Sequence, residues 1–106
     1  MSSLQRRYEI LLPLRFNDGQ PVPDDLIADT PAELEQRFHA ISSETQVIHG
    51  LWESEGRTYR DELVRVFVGV GDTKANRKHF VGYKRELKAR FQQLEIRMTT
   101  YLVEEF

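Results

Sequence analysis

Residues 57–70, RTYRDELVRVFVGV, put Val64, Val66, Val68 and Val70 on one side of an extended chain and Tyr59, Asp61, Leu63, Arg65 and Phe67 on the other. Alternation at period two marks a strand with one face on a core. A run this rich in β-branched residues belongs in the middle of a sheet. A central strand needs a neighbour on each edge, so the remaining sequence must supply at least two more strands.

One partner is RRYEILLPLRF, in which Tyr8, Ile10, Leu12, Leu14 and Phe16 alternate with Arg7, Glu9, Leu11, Pro13 and Arg15. Pro13 cannot donate to a ladder, which predicts a bulge there or an end to pairing near Leu12. TQVIHGLWES reads as another strand, joined to residues 57–70 by a short turn at Ser54, Glu55 and Gly56. The last, LEIRMTTYLV, sets Ile96, Met98, Thr100 and Leu102 against Arg97, Thr99, Tyr101 and Val103.

Two helices separate these strands. NDGQPVPDD reads as a loop of turn formers, after which TPAE predicts a helix start with Thr30 as N-cap, Pro31 at the first helical position and Glu33 closing a capping box. Leu34, Phe38 and Ile41 then share a face, and the helix is expected to end near Ser42 or Ser43. The second helix is capped by Asp72 or Thr73 and runs to about Gln92, with Phe80, Tyr83, Leu87 and Phe91 on its apolar side and Leu94 as a further candidate.

The order is therefore β-α-β-β-α-β. Within one domain of 106 residues it predicts an α+β, ferredoxin-like split βαβ sandwich, with a four-stranded antiparallel sheet and two helices on one face. A competing α+β arrangement adds a hairpin over residues 14–22.

Composition narrows the function classes. Cysteine is absent, which removes disulfides, thiolate metal sites and cysteine nucleophiles. No segment has the roughly 20 apolar residues of a membrane span, and Glu9 and Arg15 interrupt the first apolar run, so the expectation is a soluble cytoplasmic protein without a secretory signal. His39, His49 and His79 do not form an HExxH or similar metal spacing. Asp24–Asp25, Asp61–Glu62 and Glu104–Glu105 are sequence neighbours rather than facing pairs, and no serine sits in a nucleophile elbow. No catalytic, cofactor-binding or metal-ligating residue is assigned.

With helices on one side, the opposite sheet face must be solvated, bind something or pack on another chain. Leu11, Leu63, Arg65, Phe67, Arg97 and Tyr101 fall on it, and leucines, aromatics and arginines suit a contact surface. The outward side of the second strand stays open between Val47 with Leu51 and Ile48 with Trp52. Base stacking of the RNA-recognition type is disfavoured, because LVRVFVGV keeps only Arg65 and Phe67 of the central-strand pattern.

Charge is polarised behind the net value of −2. Lys74, Arg77, Lys78, Lys84, Arg85 and Lys88 form a continuous stripe on the second helix, a candidate anion-contacting surface or an ordinary solvated face. GVGDTK could present an anion to a helix N-terminus. It lacks a third glycine, however, and Asp72 would repel the ligand, so it reads as a strand-to-helix seam.

Through RRYEILLPLRFNDG, SSETQVIHG, YRDELVRVFV and LKARFQQLEIRMTTY, most of the chain resembles small uncharacterised bacterial proteins of ferredoxin-like type. The resemblance implies that fold and carries no functional residues. The expected function is a non-enzymatic binding, regulatory or structural module that works through its open face, as a homodimer or with a protein partner. A nucleic-acid or phosphate-contacting module built on helix 74–90 and a small-molecule enzyme of the dimeric α+β type, with Tyr101, Arg97 and His49 converging, are the alternatives.

Overall fold

A computed structural model describes residues 3–43 and 46–106. The chain is α+β: β1 (Ser3–Pro13), α1 (Asp24–Phe38), β2 (Ser42–Ser43), β3 (Ile48–Ser54), β4 (Arg57–Val70), α2 (Lys74–Arg90) and β5 (Met98–Glu105). The sheet is antiparallel, with β4 and β1 central, β5 on the far edge of β1, and both the short β2 and β3 along the outer edge of β4. This is the ferredoxin-like arrangement that the strand and helix order predicts. The predicted start of the second strand at Thr45 lies outside the described residues.

Packing follows the alternation. Tyr8, Ile10 and Leu12 of β1, Val66, Val68 and Val70 of β4, and Ile96 ahead of β5 are buried against Leu34, Phe80, Tyr83, Leu87 and Phe91 from the helices. Tyr8 stacks flat on Phe80 with ring centroids 3.9 Å apart, and Phe38 lies on the same ring at 5.4 Å. Pro13 ends β1 opposite Leu63, consistent with a strand that stops where its donors stop.

The first helix starts earlier than its local signals predict. It begins at Asp24 after Pro23, and no side chain caps it. Thr30 is a fully buried interior residue, and Pro31 lies inside the helix. The cause is tertiary: Val22 is buried and Leu26 and Ile27 pack on the core, which rewards an added N-terminal turn despite the backbone bond that Pro31 forfeits. Asp24 and Asp25 in that turn suit the positive end of the helix dipole. The helix ends at Phe38, where His39 adopts a left-handed conformation (φ 63°), ahead of the predicted Ser42–Ser43 end; those serines instead form β2.

The second helix agrees with its cap. Thr73 Oγ1 accepts the Asn76 backbone N–H at 3.1 Å, and Asn76 Nδ2 donates to the Gly71 carbonyl at 2.9 Å. Leu94 lies beyond the helix end and is exposed, because the chain turns at Gln92 (φ 54°). The hairpin of the competing arrangement is present in miniature, as a turn with a bridge between Arg15 and Pro21, and it leaves the main topology intact.

Candidate functional site

Register fixes what the open face displays. From β5 across β1 to β4, Tyr101, Arg7 and Gly69 form one row, and Thr99, Glu9 and Phe67 form the next. Leu11 pairs with Arg65, and the Leu11 N–H donates to the Arg97 carbonyl at 3.0 Å, which closes a third row. Leu63 then pairs with Ile48, and farther along the same face Trp52 pairs with Tyr59. The open choice on the second strand is thereby settled: Ile48 and Trp52 share the open side, while His49 and Leu51 take the other.

All six sequence-predicted open-face residues therefore share one side of the sheet. Leu11, Leu63, Arg65 and Phe67 are half-buried, while Arg97 and Tyr101 are exposed. Two contacts organise the centre. The Tyr101 hydroxyl donates to Glu9 Oε1 at 2.5 Å, and the Arg7 guanidinium lies over the Phe67 ring, 5.1 Å from its centroid. Positive and negative groups thus alternate over an apolar floor. His49 does not converge with Tyr101 and Arg97, because it points to the opposite side of the sheet.

A cleft of about 430 Å³ opens beside this centre. Arg7, Phe67 and Gln5 line it from the sheet, and Ile41 and Ser42 from the segment after α1. Gly69 leaves room at its floor, since a Cβ there would meet Gln5 Oε1 at 3.0 Å. Sequence alternation identifies the face but not the cleft, because the Phe38–Ser42 wall depends on where α1 ends.

The glycine seam is a structural joint. Arg6 Nε donates to Asp72 Oδ1 at 2.8 Å, and Thr73 occupies the cap, so Asp72 ties the start of α2 to β1. On α2, Lys84 pairs with Glu95 at 2.9 Å, and this contact holds the Glu95 carboxyl below its ordinary pKa. Lys74, Arg77, Lys78 and Arg85 are exposed and Lys88 is half-exposed. Lys78 borders an open groove of about 380 Å³ between the helices, with Arg37, His79, Tyr83 and Glu86. Burial and then Arg37 lower the pKa of His79 there, with Glu86 opposing.

Among the described residues no group of three or more histidine, aspartate or glutamate side chains could hold a metal ion. No described helix is long and apolar enough to cross a membrane.

No known protein family and no curated protein matches the sequence. Among solved structures, a phage SAM lyase in complex with S-methyl-5'-thioadenosine superposes with a TM-score of 0.68, at 13% identity over 95% of this chain and 88% of that one. A phage SAM lyase in the apo state gives 0.55, at 16% identity over 98% and 89%. These likenesses are likenesses of fold.

Proposed function

We propose that the protein acts through the open face of its sheet, and that this face holds a small adenosyl sulfonium or thioether. The observation that carries the reading is the cluster around Glu9, where a carboxylate, a tyrosine hydroxyl and the arginines of neighbouring rows surround Phe67 beside a cleft. A zwitterionic amino-acid group finds both of its counter-charges there: Glu9 for the ammonium, and Arg7, Arg65 or Arg97 for the carboxylate. A sulfonium gains from an aromatic face, and Phe67 and Tyr101 provide one. Support from the fold comes from the two phage lyases, whose names give the ligand class.

The chemistry would be cleavage of a carbon–sulfur bond. The bonding pair stays with sulfur, the positive sulfonium becomes a neutral thioether, and the substrate's own carboxylate oxygen forms the new bond to the carbon that sulfur leaves, closing a lactone so that atoms and charge balance. Charge is lost at sulfur as the bond breaks, so a partly apolar site favours the transition state over the ground state. The test is to incubate the protein with S-adenosylmethionine, follow S-methyl-5'-thioadenosine by mass spectrometry, and titrate the thioether calorimetrically. Binding with product formation, both reduced at least tenfold in Glu9→Gln, is expected. Absence of both heat and product overturns the reading.

A second reading is association through the same face, as a homodimer or with a protein partner. Leu11, Leu63 and Phe67 are half-buried, and Ile48 and Trp52 extend the apolar strip along β3. Phe67→Glu would then reduce the hydrodynamic size in gel filtration, and an unchanged size would count against it.

A further inference from the structure

We propose that the β3–β4 ribbon is an assembly arm, which docks across helix α2 of a second copy of this chain. It uses surfaces other than the open-face cleft, and the proposal stands whether or not that cleft binds a nucleoside.

The arm follows from unequal strand lengths. β4 runs from Arg57 to Val70, yet β1 pairs only with Leu63–Val70 and the Leu14 N–H just beyond it donates to the Glu62 carbonyl, so, among the described residues, 57–61 have β3 as their one strand neighbour. Five residues carry this ribbon about 17 Å beyond the sheet. The result is a molecule 49 Å long and 29 Å wide. Residues 51–62 are exposed throughout, on both sides of the ribbon.

A bare two-stranded ribbon is marginally stable in water. This one is nevertheless sharply built. Glu55 (φ 52°) and Gly56 (φ 77°) form a tight turn whose twist matches the strands. Trp52 stacks on Tyr59 at 4.3 Å, and its indole N–H donates to Asp61 Oδ2 at 2.7 Å. Even so, Trp52 is 48% exposed and Leu51 69% exposed. A fixed and uncovered apolar element of this kind suits an interface.

Charge selects the occupant. Residues 46–62 carry four carboxylates, Glu53, Glu55, Asp61 and Glu62, against Arg57 and Arg60. Helix α2 carries seven basic residues against Glu86. Arg90 and Lys84 are paired within the chain, whereas Lys74, Arg77, Lys78, Arg85 and Lys88 make no ion pair among the described residues. At about 100° per residue, Val81 sits in the middle of that stripe, and it is 57% exposed. The stripe therefore has an apolar centre and a basic rim. On the arm, Leu51 shares its side with Glu53 in one flanking row and Glu62 beside His49 in the other, while Arg60 lies directly opposite it, so the two carboxylates bracket an apolar centre that carries one cation. The arm is acidic in balance and the stripe strongly basic, and both belong to the same chain.

Within one molecule the two surfaces are on different elements, β3–β4 and α2. The contact is consequently head-to-tail, and its closure sets the subunit number. Native mass spectrometry and gel filtration of the full chain test it. The wild type should be a closed oligomer. Glu53→Lys with Glu62→Lys, and separately Arg77→Glu with Lys88→Glu, should each raise the dissociation constant at least a hundredfold. All four substitutions in one chain should restore assembly. Because restoration requires folded arms and helices, it separates lost contact from lost fold. A wild-type monomer overturns the proposal, as does an oligomer indifferent to both pairs or a quadruple variant that stays apart. Assembly lost in Phe67→Glu but not in the charge variants would place the interface on the open face and equally overturn it.

Discussion

Arg90 grips Glu33 through both arms of its guanidinium, with Nη1 at 2.5 Å from Oε1 and Nη2 at 3.0 Å from Oε2, across the seam between the two helices. The Tyr83 hydroxyl also donates to Glu33 Oε1 at 3.0 Å, and Arg90 Nη1 reaches Thr30 Oγ1 at 3.4 Å. Burial and the nearby carboxylate push the Tyr83 hydroxyl up to about 12. The hydrogen bond from Arg90 holds the Glu33 carboxyl below its ordinary pKa, against partial desolvation. One side chain thus ties α1 to α2.

This pairing predicts a pH-dependent loss of stability. Glu33 has its pKa depressed by folding, so its contribution is complete above the unfolded carboxylate value and fades as pH falls through the folded one. Arg90→Ala should cost about 1–2 kcal/mol at pH 7, a modest figure because both side chains are partly solvated. Urea titrations at pH 7 and pH 3 should show the gap between wild type and variant narrowing at the lower pH. A gap that stays constant would mean that the guanidinium acts through packing rather than charge.

The helix caps give a sharper contrast. Thr73 is a working cap, so Thr73→Ala should destabilise by about 1 kcal/mol. Replacing Thr73 with Ser, which keeps an accepting hydroxyl, should recover most of that loss in thermal melts. Thr30 is enclosed and far from the helix start, so Thr30→Ser leaves a void where the methyl was and should be the worse of the two serine variants. The reverse order would restore Thr30 to the role its sequence context suggests.

Those two threonines show how far the sequence could be read. Both sit in good capping contexts, and only distant contacts distinguish them. Glu33 is drawn to Arg90, 57 positions away, while Val22, Leu26 and Ile27 win an earlier helix start by burial. The central strands were legible because period two needs no distant information, and Tyr8, Ile10 and Leu12 meet Val68, Val66 and Val64 in register. The side of Trp52 was not legible, since Val47, Ile48, Leu51 and Trp52 alternate equally well in either sense until the turn at Glu55 and Gly56 sets the pairing. Nor does alternation reveal how many neighbours a strand has, and for that reason the arm emerged only from the register.

The core makes a direct prediction. Phe80 is 1% exposed and lies between Tyr8 and Phe38 in a continuous ring stack that joins β1, α2 and α1. Phe80→Ala should cost about 3–5 kcal/mol, the range for truncating a buried aromatic. Phe80→Leu, which retains most of the volume, should cost distinctly less in chemical denaturation. Equal losses would indicate that ring stacking outweighs the cavity.

Gly69 offers a way to test the cleft without dismantling the sheet. Its φ is not in the left-handed region, so a side chain there is not strained by the backbone. The nearest obstacle to a Cβ is the end of Gln5, which can rotate away. Gly69→Leu should therefore fold, with an unchanged far-ultraviolet dichroism spectrum, while its side chain fills the space between Arg7, Phe67 and Ile41. If S-methyl-5'-thioadenosine binds in this cleft, calorimetry should show at least a tenfold weaker affinity in Gly69→Leu and a smaller loss in Gly69→Ala. Undiminished binding by a folded Gly69→Leu protein would move the ligand off the cleft, toward the row of Arg97, Leu11 and Arg65. Arg97→Ala would then test that location, because Arg97 lies two rows from Gly69 and does not line the cleft.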